Sequence, residues 1–299
     1  MDIGTVTEFV AADSAGVVWR AGDAWLGGGT WLFSQPQPGV TRLLDLSAFG
    51  WPPLTLTADG LEIAATCTLA ELARWRPASR DWPAAVLARQ CCDALLGSFK
   101  VQNMATVGGN ICLSLPAGPM TAFAAALDGI ATLRAPDGGT RNVAVADFVT
   151  GDGANVLTPG ELLRKVFIPA ASLRARTAFR QVSLSPVGRS AVLVIARHGG
   201  TTETVITVTA ATPRPVQLRF GPLPAPGAAV TALDAAAPVY LGDVHGDAVW
   251  RAAMTRRAVA EVVAELAGRP CASTVSASAA TRGQASACGR SCASWAGSA

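Results

Sequence analysis

The stretch "ATVGGNICLSLPAGPM" (105–120), together with the earlier "LGGGTWL" (26–32), decides how this chain is interpreted. In each, residues that favour a strand run into a glycine cluster, so each predicts a strand that ends in a glycine turn. Glycines lack a Cβ, so their backbone N–H groups can surround an anion, most often a diphosphate. Thr30 adds a hydroxyl to the first cluster, and Thr106 and Asn110 add donors to the second. The hypothesis is two loops that close over one pyrophosphate.

A plainer interpretation stays open beside this one. Glycine pairs usually form tight turns without a ligand, and neither cluster alone excludes that role. Neither matches the lysine-containing phosphate loop or the GxGxxG pattern of dinucleotide-binding folds. The remaining "TGDGAN" (150–155) also contains GxG, but it follows a predicted hairpin and is interpreted as a loop.

Composition excludes several classes of function. The chain has 299 residues, 50% hydrophobic and 15% charged, with 24 basic and 21 acidic side chains. This is enough for two domains with a sizeable core. The basic residues are spread along the chain, so we expect no nucleic-acid partner. No secretory signal is evident, and no apolar run approaches the roughly 20 residues of a membrane span. We therefore expect a cytoplasmic protein.

Cysteine and histidine usage argues against several kinds of site. Seven cysteines are an odd number for a disulfide framework, and the adjacent pair Cys91–Cys92 has no histidine nearby, as a zinc site would need. Only His198 and His245 occur, and neither lies beside a serine or cysteine motif of a hydrolase. Free thiols and no protein-bound metal are therefore expected.

The pattern of apolar residues predicts an α+β protein. Residues 60–73 begin as a strand and turn into a helix at Thr68, whose hydroxyl can cap the helix. Residues 83–97 predict a helix with proline at its start and glycine at its end. A hairpin is predicted to turn at residues 137–139, and 161–169 predicts a strand that Pro169 ends.

The second half of the chain has a different pattern. Four strand-like segments at short spacing predict an antiparallel sheet, "GPLPAPGAA" (221–229) is interpreted as a loop, and residues 246–268 predict a long amphipathic helix. The tail after residue 270 lacks periodicity. We thus expect a first domain over 1–172, a second over 173–270 and a disordered tail over 271–299.

Five motifs in order, "LGGGTWL", "ATVGGN", "ALDGIATL", "DFVTG" and "GELLRKVFIP", resemble the FAD-binding (medium) subunit of the molybdenum hydroxylases. That family includes xanthine dehydrogenase and carbon monoxide dehydrogenase. The resemblance covers roughly residues 20–268. It implies two α+β subdomains of the vanillyl-alcohol-oxidase (PCMH) type that hold FAD between them. A small C-terminal domain with a three-stranded sheet and helices, of the CO dehydrogenase flavoprotein type, would follow.

The resemblance also implies roles for particular residues. The first pyrophosphate loop would comprise Trp25, Leu26, Gly27, Gly28, Gly29, Thr30, Trp31 and Leu32. The second would comprise Ala105, Thr106, Gly109 and Asn110. Leu162 and Leu163 match the stretch that reaches the flavin ring, and Arg180 matches a basic residue near the flavin in some members. Read without the resemblance, the two leucines are core residues and Arg180 is a surface cation.

Two positions depart from the family pattern. Many members have an aspartate that contacts the adenosine ribose where this chain has Pro119, whose side chain accepts no hydrogen bond. Arg189 stands where an acidic residue is common. Both departures bear on how firmly FAD would be held.

Three functional hypotheses follow. In the first, the chain is an electron-transfer flavin subunit that takes electrons from two [2Fe-2S] clusters in a small partner subunit and passes them to NAD, a quinone or oxygen. A large partner subunit would hold the molybdenum cofactor, in a heterotrimer duplicated to a dimer of trimers. In the second, the chain is a structural or assembly subunit that no longer binds FAD, which Pro119 motivates. The third, a stand-alone flavin reductase, ranks last because no residue stands out as a proton donor to a substrate.

Overall fold

The computed structural model describes residues 4–12, 18–77, 81–199 and 203–268. These residues form a mixed α and β architecture with a three-stranded, a five-stranded, a four-stranded and a two-stranded sheet. The strands are β1 (Glu8–Ala11), β2 (Asp23–Leu26), β3 (Arg42–Asp45), β4 (Leu54–Leu56), β5 (Gly60–Ala64), β6 (Ile130–Arg134), β7 (Thr140–Ala144), β8 (Val149–Gly151), β9 (Ala154–Asn155), β10 (Leu162–Pro169), β11 (Arg176–Val182), β12 (Val192–His198), β13 (Thr204–Thr209) and β14 (Val216–Phe220). The helices are α1 (Leu69–Arg74), α2 (Val86–Ala94), α3 (Phe99–Met104), α4 (Val107–Cys112), α5 (Pro119–Ala126), α6 (Val145–Phe148), α7 (Ala170–Leu173), α8 (Pro226–Ala235) and α9 (Ala248–Leu266).

The three-stranded sheet is parallel and has the order β1-β3-β2. Its central strand, β3, contributes the buried Leu43 and Leu44. Asp23 on β2 pairs with Arg42 on β3, with 2.5 Å between a carboxylate oxygen and a guanidinium nitrogen. This ion pair holds the pKa of Asp23 below its usual value, and it anchors the strand that leads into the first glycine cluster.

The five-stranded sheet is antiparallel, with the order β4-β5-β10-β6-β7. One face of β5, β6 and β10 packs on α2, α4 and α5 in the larger of two apolar cores. As predicted, Thr68 caps α1: its hydroxyl accepts from the N–H of Glu71, whose carboxylate in turn accepts from the N–H of Thr68.

The four-stranded sheet, β11 to β14 in sequence order, is an antiparallel meander covered by α8 and α9. The four strand-like segments of the sequence are therefore confirmed, and the three-stranded sheet that the resemblance implied is wrong. Residues 221–229 were also wrongly expected to be loop throughout, because α8 begins at Pro226. Proline at the first helical position is favourable, since its missing N–H would have had no partner there.

A buried arginine ties α9 to this sheet. Arg251 is 1% exposed, and its guanidinium donates to the carbonyl oxygens of Ala191 and Ala210, at 2.8 and 2.6 Å. It also reaches the carboxylate of Asp243 at 2.5 Å. Burial of a guanidinium is tolerated here because its donors have acceptors.

The segment around residue 107 differs from the expectation. Thr106 and Val107 were predicted to end a strand, but Thr106 is the N-cap of α4 and Val107 is its first residue. The hydroxyl of Thr106 accepts from the N–H of Gly109 at 3.0 Å, so the threonine starts a helix in spite of its β-branch. The tail over 271–299 lies outside the described residues. Within those residues, no helix combines the length and the apolar composition needed to cross a membrane.

Candidate functional site

The first glycine segment, defined here as residues 27–30, follows directly on β2. Gly29 has φ +68°, and an added Cβ would lie 2.4 Å from a ring carbon of Phe33. The carbonyl oxygen of Gly29 accepts from the N–H of Phe33 at 2.9 Å, which closes the turn. Only glycine satisfies both the backbone angle and the close aromatic ring.

The backbone N–H groups of this segment have no partner in the described ranges. None of the four backbone N–H groups from Gly27 to Thr30 has a hydrogen-bond acceptor within the described part of the chain. Four successive free donors in a turn provide a partial positive charge, which attracts an anion without any lysine. That this segment binds a pyrophosphate stays a prediction.

In the second glycine segment, residues 106–110, the backbone N–H groups already donate hydrogen bonds within the protein. The N–H of Val107 donates to the carbonyl of Cys67 at 2.8 Å, and that of Gly108 donates to the carbonyl of Ala65 at 2.9 Å. The N–H of Gly109 donates to the Thr106 hydroxyl, as described above. The expectation that this segment offers a second set of backbone donors is therefore not met in this structure.

The two segments instead pack against each other. An added Cβ on Gly28 would lie 1.6 Å from the carbonyl oxygen of Met104 and 3.2 Å from Cα of Ala105. An added Cβ on Gly27 would lie 3.0 Å from the Thr106 hydroxyl. Gly28 and Met104, 76 positions apart in sequence, thus make backbone contact. The first segment thus packs on the second segment and on the residues just before it.

Asn110 links the second segment to a cavity of about 110 Å³. Its side-chain carbonyl accepts from the N–H of Met120 at 2.9 Å and so caps the start of α5. Its amide NH₂ has no acceptor among the described residues. The cavity is lined by Ala94, Leu95, Leu96, Asn110, Leu115, Ala117, Gly118, Arg189 and Ser190.

The polar side chains of the cavity offer donors. Arg189 is half-buried and makes no hydrogen bond or ion pair with any described residue. The buried Ser190 hydroxyl accepts from the side-chain amide of Gln181 at 2.9 Å, which leaves its own O–H to donate. No carboxylate lines the cavity. The rest of its wall is apolar, so the cavity suits a ligand with an apolar body and an edge of acceptor atoms.

The start of β10 lies close to both segments. Leu162 and Leu163 are buried there, at 5% and 3% exposure, as expected of core residues. The ring N–H of Trp25 donates to the carbonyl of Gly160 at 3.3 Å. Burial raises the pKa of the Cys112 thiol to about 12, and the nearby backbone N–H of Leu163 opposes that rise. The strand that carries both leucines is thus tied to the residues before the first segment and after the second.

Arg180 is held elsewhere. Its guanidinium donates to Glu261 at 3.0 Å and to Glu265 at 2.6 Å, both on α9. These contacts direct it to α9, which covers the four-stranded sheet, and both carboxylates lie outside the glycine segments. The positive charge of Arg180 is therefore balanced by two carboxylates.

The other sequence candidates occupy separate places. Trp19 and Trp25 pack with ring centroids 5.4 Å apart, Trp51 stacks on Phe49, and Trp31 is 42% exposed, so the tryptophans form no single cluster. Pro119 is the first residue of α5. No group of three metal-ligating side chains occurs in the described ranges.

Sequence reasoning did not find the cavity. Leu95, Arg189 and the loop before α5 lie on distant parts of the chain, and only the folded arrangement brings them together. A single sequence carries no signal for that proximity.

The sequence matches the family described as "FAD binding domain in molybdopterin dehydrogenase" over residues 22–171. Among curated proteins, none matches the sequence.

Solved structures share the fold. A chain of quinoline 2-oxidoreductase from Pseudomonas putida 86 is 19% identical, with a TM-score of 0.73 over 90% of this chain and 99% of that one. A chain of carbon monoxide dehydrogenase from Oligotropha carboxidovorans is 21% identical, with a TM-score of 0.72 over 90% of this chain and 100% of that one. A chain of the Hydrogenophaga pseudoflava enzyme is 20% identical, with a TM-score of 0.71 over 89% of this chain and 99% of that one.

Proposed function

Because this chain belongs to the family of FAD-binding domains of molybdopterin dehydrogenases, we propose that it is the flavin subunit of a molybdenum hydroxylase and transfers electrons between partner subunits and a final acceptor. The observation that carries the proposal is the set of four backbone N–H groups from Gly27 to Thr30, which have no hydrogen-bond acceptor among the described residues. Such a set fits the FAD pyrophosphate, whose oxygens accept hydrogen bonds and carry negative charge. We assign the pyrophosphate to this segment.

The second segment supports the first. Its cap at Thr106 and its bonds to Ala65 and Cys67 fix the backbone against which Gly28 lies. A rigid support keeps the free donors in place before the ligand arrives, so less ordering is needed on binding. Thr106 and Gly109 thus contribute through position, and Asn110 contributes its free amide.

The cavity beside Asn110 offers apolar contact from Leu95, Leu96 and Leu115 and donors from Arg189 and Ser190. Bound flavin supplies the redox chemistry, and the protein supplies binding, orientation and electrostatics.

The partners follow from the proposal. Electrons would arrive from the two iron–sulfur clusters of a small subunit, after oxidation of a substrate at the molybdenum cofactor of a large subunit. They would leave to NAD, a quinone or oxygen. The complex would be a heterotrimer duplicated to a dimer of trimers, and this chain would divide into domains at residues 172–173. The names of the similar structures, which include CO dehydrogenases, support this assignment.

An assembly role without FAD is the second candidate, and Pro119 favours it. At the first position of α5, Pro119 offers no side-chain hydrogen bond to a ribose. The N–H groups of the first glycine segment argue against this candidate. N–H groups without an acceptor do not stabilise the fold in a packed turn.

The deciding experiment is FAD retention by the purified chain. The protein is mixed with FAD and desalted, and the ratio of flavin to protein is measured by absorbance. A ratio close to one supports the flavin subunit, and a folded protein that retains no flavin supports the assembly role. Circular dichroism of the same sample shows whether a colourless protein is folded.

A further inference from the structure

The three-stranded sheet carries the first glycine segment but lies outside the two apolar cores of the described residues. Its buried side chains on β3, Leu43 and Leu44, belong to neither core. Individual contacts join this sheet to the rest of the chain, among them the hydrogen bond from the Trp25 ring to the carbonyl of Gly160. A unit held by few apolar contacts opens at a lower free energy than a core element. Each such contact therefore helps to decide where the first glycine segment lies.

An aromatic pair that follows β3 reaches the five-stranded sheet. The rings of Phe49 and Trp51 stack with centroids 4.5 Å apart and planes 13° from parallel. Cζ of Arg164 on β10 lies 3.9 Å from the centroid of the Trp51 ring. Cζ of Arg134, on the neighbouring β6, lies 5.9 Å from that of Phe49. Two cations of the five-stranded sheet thus contact the aromatic pair next to the three-stranded sheet.

The contact between Arg164 and Trp51 is the closer of the two. Trp51 is half-buried and packs against the larger apolar core. Burial lowers the pKa of Arg164, as expected of a guanidinium partly removed from water. Within the described ranges the Arg164 side chain donates no hydrogen bond and forms no ion pair, so the Trp51 ring is the partner that fixes it. Cation–π contacts are strongest on tryptophan and where water is excluded.

The backbone of Arg164 is linked to the second glycine segment. The register between β10 and β6 shifts between Leu163 and Lys165, and such an irregularity redirects the side chain of the residue within it. The carbonyl of Arg164 still accepts from the N–H of Ala65 at 3.1 Å, and the carbonyl of Ala65 accepts from the N–H of Gly108 at 2.9 Å. Arg164 therefore contacts Trp51 with its side chain while its backbone is tied to the segment on which Gly28 packs.

We propose that Arg164 is a positioning residue: through Trp51 it holds the three-stranded sheet against β10 and so keeps the four N–H groups from Gly27 to Thr30 in place. The inference rests on the proposed function, which assigns these N–H groups to the FAD pyrophosphate. Without the contact, the three-stranded sheet opens away from β10 more often. The pyrophosphate loses its donors at each opening, so bound FAD leaves faster.

The test combines amide hydrogen exchange of the full chain without FAD and the rate of FAD release from the loaded chain. Arg164→Gln removes the cation, and Arg164→Lys keeps it. Trp51→Leu removes the ring, and Trp51→Phe keeps an aromatic face. Arg174→Gln is the matched control, because Arg174 is exposed and has no ion pair among the described residues.

We expect the amides of β2 and β3 to exchange about three- to tenfold faster in Arg164→Gln and Trp51→Leu, as the loss of one cation–π contact implies. FAD release should be faster by a similar factor. The amides of β12 and β13, which belong to the four-stranded sheet, should exchange as in wild type. Arg164→Lys and Trp51→Phe should recover most of the difference, and Arg174→Gln should stay within twofold of wild type.

Three results would overturn the inference and leave the proposed function standing. The first is unchanged exchange in β2 and β3 of Arg164→Gln. The second is exchange that rises equally in all strands, because Arg164 is then a general stabiliser. The third is faster exchange in β2 and β3 with unchanged FAD release. If the wild-type chain retains no FAD, the proposed function falls, and the exchange measurement still decides whether Arg164 holds the three-stranded sheet.

Discussion

Gly28 lies directly against the carbonyl oxygen of Met104, so closely that an added Cβ would be 1.6 Å from it. This contact joins the first glycine segment to a residue just before the second, far away in sequence. It also makes the position intolerant of any side chain, independently of the backbone angle.

Gly28→Ala therefore tests whether the contact supports the cofactor site. We expect a loss of about 1–3 kcal/mol in the free energy of unfolding, because the added methyl group must displace backbone. FAD retention should fall as well, since the donors of Gly27 and Thr30 shift with it. Gly39→Ala is the control, because nothing lies within 4 Å of its added Cβ. Unfolding in urea and flavin content after desalting measure both effects; equal behaviour of the two variants would contradict the prediction.

Thr106→Ala separates a supporting role from direct binding of the pyrophosphate. Loss of the N-cap should destabilise the protein by about 1 kcal/mol. Asp247→Ala removes a matching cap, from α9, where the carboxylate accepts from the N–H of Trp250 at 2.8 Å. If Thr106 contributes only through position, the dissociation constant for FAD of Thr106→Ala stays within tenfold of that of Asp247→Ala. A dissociation constant more than tenfold weaker for Thr106→Ala alone would show direct contact.

Arg251→Met should be among the most destabilising substitutions in the four-stranded sheet and the helices that cover it. It leaves the carbonyl oxygens of Ala191 and Ala210 without their donor and Asp243 without its cation. Each buried carbonyl oxygen left without a donor costs about 1–3 kcal/mol, whereas Asp243 has 40% of its side chain exposed to water. Arg256→Gln, which removes an exposed pair with Asp234, should cost less than about 1 kcal/mol. Chemical denaturation of both variants checks the contrast, and a small loss for Arg251→Met would count against it.

Glu161, which precedes β10, should contribute to the loss of folding stability at acid pH. The Arg141 guanidinium is the main cause that holds the pKa of Glu161 at about 2, below its ordinary value of 4.5. A lowered pKa contributes stability that is complete above 4.5 and is lost as the pH falls towards 2. Glu161→Gln should therefore be less stable than wild type at neutral pH, and the difference should shrink between those two values. Denaturation curves across this range test the prediction, and a difference that does not change with pH would refute it.

Local patterns predicted much of the fold because they depend on neighbouring residues. The cap at Thr68, the hairpin that turns at Gly138 and the strand ended by Pro169 each have their cause within a few positions. The error at Val107 arose because a β-branched residue before two glycines favours a strand, whereas the hydrogen bond from Gly109 to Thr106 starts a helix. At Pro226, a proline and a glycine suggested a loop, although proline also fits the first position of a helix.

The candidate site could be predicted only in part. The first glycine segment follows a strand, as expected, and its free donors agree with the hypothesis. That the second segment uses its donors internally depends on Ala65 and Cys67, about 40 residues away. The partners of Arg180 on α9 likewise depend on how distant elements pack. No local pattern carries that information.

Helix α5 connects the cavity to the four-stranded sheet. Its first turn follows Gly118 in the cavity wall. Its last carbonyls, those of Ala125 and Ala126, accept from Gln217 at 2.7 Å and from the buried Arg197 at 3.1 Å. A helix of this length spans only about 12 Å and does not stretch. A displacement of the four-stranded sheet would therefore move α5 as a unit, and with it the wall of the cavity at Gly118.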